Sequence, residues 1–229
     1  MAKHIGIVAC SAPGAALCYR TICDEAPARM GRHQAPELSM HNHPLGAYMP
    51  AIRAGDWDAV AALMLDSAER LARAGAQLAI CPDNTIHEAF DRVAPRSPIP
   101  WLHIARAVAA AAQRAGHRRV GVLGTRYLME GPVYPQALEA LGMAVLTPPA
   151  GQREEINRHI FDELVAGVFR DETRRRFDRI IADLGERGAT TVVLGCTEIP
   201  LLVDPATAPL PTLDSTRLLA RAALDAALT

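Results

Sequence analysis

The stretch GATTVVLGCTE, from Gly188 to Glu198, repeats an earlier stretch of the chain, GAQLAICPDNT, from Gly75 to Thr85. The two copies are offset by 113 residues (188 − 75), which places Cys196 opposite Asp83 (196 − 83 = 113). Each copy is an apolar run followed by polar residues, the pattern of a buried strand that ends in functional groups. The repeat therefore predicts two related halves, each delivering one ionisable side chain from a strand end.

A second pair of segments repeats in the same order. IGIVACS at Ile5–Ser11 resembles VGVLGTR at Val120–Arg126, with an offset of 115 residues (120 − 5). Short apolar runs alternate with long Ala/Leu/Arg-rich helical stretches, which indicates parallel sheets covered by helices. We predict an α/β fold of two pseudo-symmetric, doubly wound parallel-sheet domains. The expected strands are Ile5–Ala9, Glu37–His41, Leu78–Cys81, Arg119–Leu123, Ala144–Thr147 and Thr191–Leu194.

Helix and linker signals divide the chain further. Asp56 and Gly75 mark the expected start and stop of a long amphipathic helix. The Pro-rich segment PRSPIP at Pro95–Pro100 is interpreted as a linker between the halves. We expect an N-terminal domain over residues 1–100 and a C-terminal domain over 101–211, with residues 212–229 packing back onto the first.

The composition excludes several classes of function. Apolar residues make up 50% and charged residues 21% of 229 residues. The net charge is −1, so the chain lacks the excess of basic residues with which proteins bind nucleic acid or an anionic membrane surface. No apolar run reaches the ~18 residues of a membrane span. The opening MAKHIGIVAC resembles a strand rather than a leader, and five cysteines without CxxC spacing fit no disulfide framework. We expect a cytoplasmic protein without a nucleotide site.

Two side chains are candidates for acid–base chemistry. Cys196 follows the strand and a glycine, where a thiol can act catalytically, although buried cysteines are often inert. Asp83 can exchange a proton, can cap the helix predicted at Thr85–Val93, or can do both. Placed on opposite sides of a carbon atom, the two groups can move a proton from one face to the other.

Other polar residues at the same strand ends are candidates for holding a small carboxylate-bearing substrate. Arg126 offers a charge-assisted partner for an anion. His41 and His43 can contact the substrate, or they can ligate a metal together with His87; we favour substrate contacts and predict no metal site. The expected binding residues are Ser11, His41, His43, Asn84, Thr85, Thr125, Arg126, Thr197 and Glu198.

The chain resembles the aspartate/glutamate (Asp/Glu/hydantoin) racemase superfamily over most of its length. The motif GCTEIP at Gly195–Pro200 and the motif NTIH at Asn84–His87 carry the resemblance, supported by GTRY at Gly124–Tyr127. The resemblance implies two α/β domains with the active site in the cleft between them, a homodimer, and no pyridoxal phosphate or other cofactor. It also implies two catalytic cysteines, of which Cys196 is one; Asp83 holds the position of the other.

The function expected from these residues is a cofactor-independent amino-acid racemase, an isomerase of amino-acid metabolism acting on aspartate or glutamate. Asp83 and Cys196 would act on opposite faces of the substrate α-carbon. The pair is unequal, because the reference pKa is about 3.9 for an aspartate and about 8.5 for a thiol. Two alternatives stay open: a single-cysteine decarboxylase or cis–trans isomerase of a dicarboxylate, and a non-catalytic ligand-binding member of the family.

Overall fold

The computed structural model describes residues 2–229, which form two units of α/β structure. The first unit comprises the chain up to Ala107 together with Thr216–Thr229, and the second comprises Val108–Ser215. Each unit contains a four-stranded sheet in which all neighbouring strands are parallel. The predicted fold class, two related α/β halves with parallel sheets flanked by helices, is therefore confirmed.

The two sheets have the same strand order. It is β2-β1-β3-β4 in the first unit and β6-β5-β7-β8 in the second. The strands are β1 (Ile5–Ala9), β2 (Leu38–Asn42), β3 (Leu78–Ile80), β4 (Trp101–Leu102), β5 (Arg119–Leu123), β6 (Ala144–Leu146), β7 (Thr191–Leu194) and β8 (Thr212–Asp214).

The strand register reproduces the sequence repeat. Gly6 of β1 pairs with Ala79 of β3, and Gly121 of β5 pairs with Val192 of β7. The differences are 115 (121 − 6) and 113 (192 − 79), which are the two offsets found in the sequence. The segments that follow β3 and β7 are therefore structurally equivalent.

Two edge strands were not predicted from the sequence pattern. Trp101–Leu102 and Thr212–Asp214 are two and three residues long, too short to show periodicity. Each follows a Pro-rich stretch, a position at which proline is tolerated because an edge strand needs fewer backbone donors. The Pro100 carbonyl accepts a hydrogen bond from Ala79 N at 2.8 Å. The segment Pro95–Pro100, interpreted from the sequence as a linker, thus leads directly into an edge strand of the first unit.

The helices surround these sheets within each unit. In the described part of the chain none of them has both the length and the apolar composition of a membrane span. Short 3₁₀ segments cover Thr85–Ala89 and Leu164–Ala166. The α-helices are α1 (Ala12–Glu25), α2 (Pro27–Met30), α3 (Leu45–Ala54), α4 (Trp57–Arg73), α5 (Phe90–Val93), α6 (Ile104–Arg114), α7 (Arg126–Glu130), α8 (Val133–Glu139), α9 (Ala150–Asp162), α10 (Asp171–Glu186), α11 (Ile199–Leu202) and α12 (Ser215–Leu228).

Helix α4 has the boundaries that its sequence predicts. The Asp56 side chain accepts a hydrogen bond from Ala59 N at 3.0 Å and so caps the first turn. The chain leaves the helix through Gly75, whose φ of +96° suits a residue without a side chain. The apolar stripe of the helix is buried and includes Val60, Ala61, Met64, Ala68 and Leu71.

The C-terminal helix α12 belongs to the core of the first unit. Its residues Leu219 and Ala223 lie in the same buried cluster as Ile5 and Ile7 of β1 and Ile22 of α1. Two ion pairs join it to the first helices at the surface: Arg221 binds Glu25 at 2.8 Å, and Asp225 pairs with Arg29. Burial of the apolar face supplies most of the stability here, because exposed ion pairs contribute only about 0–1 kcal/mol each.

Candidate active site

The candidate residues of the first unit gather at one edge of its sheet. Because β1, β2 and β3 are parallel neighbours, their carboxyl ends lie side by side, where ligands of open α/β sheets bind. Ser11 follows β1 at the start of α1. His41 and His43 lie at the end of β2, and the segment Asp83–Thr85 follows β3.

Asp83 is half-buried and lies two residues before the 3₁₀ segment that starts at Thr85. Its Oδ1 accepts a hydrogen bond from Ile86 N at 3.3 Å, so the capping role that the sequence left open is present. Asn84, next in the chain, is buried, and Thr85 is partly buried. A carboxylate offers about four acceptor sites, so the capping bond is compatible with proton transfer by the same side chain.

His87 fixes the loop that carries Asp83. Its Nε2 accepts a hydrogen bond from Ile104 N at 3.3 Å, so the ring proton is on Nδ1, which lies 2.6 Å from the Asp83 carbonyl oxygen and donates to it. Burial lowers the pKa of His87 to about 4. The neutral imidazole of His87 thus connects the loop after β3 to the start of α6 through two hydrogen bonds. The sequence alone suggested a role for His87 only as a metal ligand.

This buried histidine makes the protein sensitive to acid. Since the pKa is about 4 when folded and 6.5 in the reference state, the unfolded chain takes up the proton first as the pH falls. The free energy of unfolding is therefore highest above about pH 6.5 and falls below it, by about 2 kcal/mol between pH 7 and pH 5. In urea unfolding at both pH values, His87→Gln is expected to lose about 2 kcal/mol less over this interval than the wild type.

The matched control for this prediction is His33→Asn, which removes an exposed imidazole at a residue whose positive φ suits asparagine. It should keep the wild-type pH dependence. An unchanged pH dependence in His87→Gln would show that this ring is not a neutral buried group.

The two histidines at the end of β2 face helix α4. His41 Nδ1 lies 3.0 Å from Ser67 Oγ, and His43 Nε2 lies 2.7 Å from Asp66 Oδ2, which also accepts from Arg70 Nε at 2.8 Å. The hydrogen bonds from Arg70 and His43 hold the pKa of Asp66 at about 2, and burial lowers the pKa of His41. His41 and His43 therefore group with Asp66, and not with His87 as the metal hypothesis supposed.

Cys81 lies close to Asp83 but is a structural thiol. It is fully buried, and burial, followed by the charge of Asp83, raises the pKa of its thiol well above the usual range. A thiol held protonated in an apolar interior packs as a small hydrophobic side chain. The ionisable group that β3 presents at its end is therefore Asp83.

In the second unit, Cys196 occupies the equivalent position after β7. Its half-buried thiol donates to Glu198 Oε2 at 3.0 Å, and the Thr197 hydroxyl donates to the same oxygen at 2.7 Å. Glu198 is 3% exposed, so this carboxylate is a buried acceptor directed at the thiol. The sequence predicts a substrate contact for this residue. The observed arrangement allows Glu198 to receive the proton of Cys196.

A close backbone approach brings Cys196 to the sheet edge. Gly195 N donates to the Leu123 carbonyl oxygen at 2.7 Å, which joins the ends of β5 and β7. A Cβ atom on Gly195 would lie 2.6 Å from Leu128 Cδ2 and 2.7 Å from the Leu123 oxygen. The Ser215 hydroxyl donates to the Leu194 carbonyl at 2.9 Å and holds the strand end from the other side.

We expect Gly195→Ala to destabilise the protein by about 1–3 kcal/mol, because the added methyl group collides with a backbone oxygen that has no room to move. Gly151→Ala is the matched control. Gly151 lies in α9, where an added methyl group would have open space for 4 Å around it, and alanine is favoured over glycine in a helix. Denaturant unfolding of the two variants measures the difference; equal stabilities would contradict the tight turn.

The loop after β5 places Arg126 at the surface. Thr125 Oγ1 accepts from Leu128 N at 3.3 Å and caps α7, and Asn157 Oδ1 accepts from Arg126 N at 2.9 Å. The Arg126 guanidinium lies 5.6 Å from the centre of the Tyr127 ring and is exposed. The backbone of Arg126 is thus anchored while its charged end faces solvent. The role of Asn157 depends on a contact 31 residues away and has no local sequence signal.

The two α/β units share one topology, and a central strand is followed by a carboxylate, Asp83, in one unit and by a thiol, Cys196, in the other. The chain belongs to the Asp/Glu/hydantoin racemase family, whose model matches residues 5–223. Members of this family that resemble the chain are named racemases, which are isomerases. The resemblance noted in the sequence is therefore confirmed.

Solved structures and a curated relative agree with this assignment. A provisionally named Asp/Glu racemase from Yersinia pestis is 32% identical, with a TM-score of 0.90, over 99% of this chain and 100% of that one. An aspartate racemase homologue from Pyrococcus horikoshii OT3 is 28% identical, with a TM-score of 0.85 and the same coverage. The broad specificity amino-acid racemase RacX of Bacillus subtilis (strain 168) is 21% identical over 194 residues, 83% of this chain and 81% of that protein.

Proposed function

We propose that the protein is an amino-acid racemase that works without pyridoxal phosphate on aspartate or glutamate, as a cytoplasmic homodimer. The observation that carries the proposal is the equivalence of Asp83 and Cys196, which follow corresponding strands of two sheets with the same order and register. A racemase needs one proton acceptor and one proton donor on opposite faces of a single carbon. Two related strand ends with different ionisable groups supply that pair.

In the proposed reaction, one of the two groups removes the α-proton from one face of the substrate. The other group then protonates the carbanion on the opposite face, so the configuration inverts; the base ends protonated and the acid ends deprotonated. For one enantiomer the base is the Asp83 carboxylate and the acid is the Cys196 thiol; for the other the base is the Cys196 thiolate and the acid is the Asp83 carboxyl group. The reverse reaction, or exchange with solvent, restores the starting state.

Glu198 has a defined part in this scheme. Its Oε2 accepts the hydrogen bond of the Cys196 thiol. When Cys196 must act as the base, Glu198 takes the thiol proton through this bond and so prepares the thiolate; when Cys196 acts as the acid, its proton goes to the carbanion instead. The reference pKa values of a carboxyl group and a thiol differ by about 4.6 units, which corresponds to roughly 6 kcal/mol. That difference is the cost of moving the thiol proton to a carboxylate, and the 3.0 Å hydrogen bond provides a direct path for the transfer within the site. We propose Glu198 as the proton relay of Cys196 rather than as a substrate contact.

The remaining polar residues are proposed to hold the substrate. Asn84, Thr85 and Thr197 offer amide and hydroxyl groups beside the two acid–base residues, and Arg126 offers a guanidinium to an anionic group. Ser11 and the histidines at the end of β2 are proposed to complete the site at the carboxyl edge of the first sheet. Carboxylate recognition by such groups fixes the α-carbon relative to its base and acid, which is the geometric requirement for proton transfer.

The proposal is tested by incubating the purified protein with single enantiomers of acidic, amide, hydroxyl and apolar amino acids in D₂O. Chiral chromatography with mass detection follows both inversion and α-deuterium incorporation. We expect aspartate or glutamate to gain deuterium and to appear as the opposite enantiomer, with no effect of added hydroxylamine, which would trap a pyridoxal group. Absence of exchange in every amino acid of the panel would contradict the proposal.

A second candidate function is a single-cysteine decarboxylase, since the hydrogen bond that Asp83 accepts from Ile86 N gives this residue a structural role that needs no proton transfer. On this alternative Asp83 serves only the loop, and Cys196 protonates the carbanion left after loss of carbon dioxide. It predicts carbon dioxide release from a substituted malonate, abolished by Cys196→Ala and retained by Asp83→Asn. The racemase predicts that both substitutions are damaging.

A further inference from the structure

His41, His43 and Asp66 form a cluster with no part in the proton transfer proposed above. The first two come from the end of β2 and the third from α4, and each offers one metal-ligating atom. The three atoms lie within 4.8 Å of one another. His43 is 23% and Asp66 38% exposed, so solvent and ions reach the cluster.

The tautomer of His41 is set by its neighbour. The Ser67 hydroxyl donates its one proton to the Leu63 carbonyl at 3.1 Å, so it acts as an acceptor toward His41 Nδ1 at 3.0 Å. His41 Nδ1 therefore carries the ring proton, and its Nε2 has the lone pair that a metal requires. A histidine whose second nitrogen donates to a fixed oxygen is the usual arrangement in metal sites, because that bond orients the ring.

The donor set selects the kind of ion. Two imidazoles and one carboxylate suit Zn²⁺ and similar divalent transition metals, whereas Mg²⁺ and Ca²⁺ prefer oxygen ligands throughout. Bond lengths of about 2.0–2.2 Å place tetrahedral ligand atoms roughly 3.3 Å apart, so the widest pair must close by about 1.5 Å. Side chains this exposed make such a movement by rotation about their own bonds.

Asp66 also forms an ion pair with the Arg70 guanidinium. Arg70, itself half-exposed, donates to Asp66 Oδ2 at 2.8 Å, the same oxygen that His43 contacts at 2.7 Å. A carboxylate has two oxygens, so Asp66 can keep Arg70 on one and bind an ion with the other. His43 Nε2 now donates its proton to Asp66, so an ion bound by that nitrogen replaces the proton, which is released to solvent. Arg70 would then be an outer partner that orients the ligand, as hydrogen-bonded carboxylates are oriented in metal sites.

We propose that His41, His43 and Asp66 bind a divalent transition-metal ion, with Zn²⁺ as the preferred occupant. Three protein ligands leave a fourth position of the tetrahedron for water or for a carboxylate. The bound ion would place positive charge at the carboxyl end of β2. His41 and His43 are also proposed above to complete the substrate site, so a bound ion would take the place of their direct contacts with the substrate. Metal binding is nevertheless measured without turnover, and neither Asp83 nor Cys196 belongs to the cluster, so failure of this proposal and failure of the racemase proposal are distinguishable.

The test uses the full chain, freed of metal with a chelator and titrated with Co²⁺, whose visible absorption reports a tetrahedral site. Cys196→Ser serves as the background, so that its thiol cannot contribute a second site. We expect one equivalent of Co²⁺ to bind and to be displaced by Zn²⁺. His41→Ala, His43→Ala and Asp66→Asn should each weaken binding at least ten-fold.

His33→Asn, which removes an exposed histidine outside the cluster, should bind Co²⁺ as the background protein does. Circular dichroism of each variant verifies the fold, and Asp66→Asn preserves the size of the side chain it replaces. The proposal is overturned if binding does not saturate at one equivalent, or if the three cluster variants bind as tightly as His33→Asn.

Discussion

Replacing Cys196 with serine is expected to lower the rate of racemisation by roughly 10²–10⁴-fold in both directions, the usual contribution of a positioned acid or base. Serine fits the same space and can still donate to Glu198, so the fold and the hydrogen bond should survive. A hydroxyl is a far weaker acid than a thiol, however, and cannot form the anion that removes an α-proton. Steady-state rates from each enantiomer, measured by chiral chromatography, give the comparison.

The matched control is Cys23→Ser, which alters another half-buried thiol, on α1. That variant should keep the wild-type rate within about two-fold, since it lies outside the proposed site. A Cys196→Ser enzyme that retained more than a tenth of the wild-type activity would show that the thiol is not an essential acid–base group.

Asp83→Asn is expected to reduce racemisation by a similar factor of roughly 10²–10⁴, for a different physical reason. Asparagine keeps the shape of aspartate and is an equally good N-cap, so the bond to Ile86 N and the 3₁₀ turn should persist. The amide cannot take up or release a proton in the relevant range. The experiment therefore separates the structural role of Asp83 from its proposed chemical role.

Asp56→Asn is the control for this change, because it makes the same substitution at the capping residue of α4. Both variants should unfold within about 0.5 kcal/mol of the wild type, and only Asp83→Asn should lose activity. Full activity in Asp83→Asn, combined with inactivity of Cys196→Ser, would favour the single-cysteine alternative.

The repeat in the sequence predicted a large part of the architecture, because the position of each strand is a local consequence of the apolar pattern. Ile5–Ala9, Arg119–Leu123 and Thr191–Leu194 have the bounds expected from their sequences. The helix after Asp56 likewise follows from its cap and its apolar stripe. Such elements are specified by residues close together in the chain, and a sequence pattern reports them directly.

The features that the sequence did not predict depend on contacts between distant residues. Asp66 lies 23 residues from His43, and only the packing of α4 beside β2 brings them together. The direction of the Glu198 carboxylate toward Cys196 depends on a backbone turn that residue type alone does not fix. The role of His87 requires a bond to Ile104, 17 residues away. Tertiary structure, rather than composition, decides each of these.

The central claim is that Asp83 and Cys196 act on opposite faces of one carbon, and enantiomer-specific exchange in D₂O tests it most directly. A variant that lacks one base can still remove and replace the α-proton of the enantiomer that faces the other base. Asp83→Asn and Cys196→Ser are therefore predicted to exchange opposite enantiomers, each without inversion, whereas the wild type exchanges both. If the two variants lose exchange of the same enantiomer, or if Asp83→Asn exchanges both like the wild type, the two-face mechanism is contradicted.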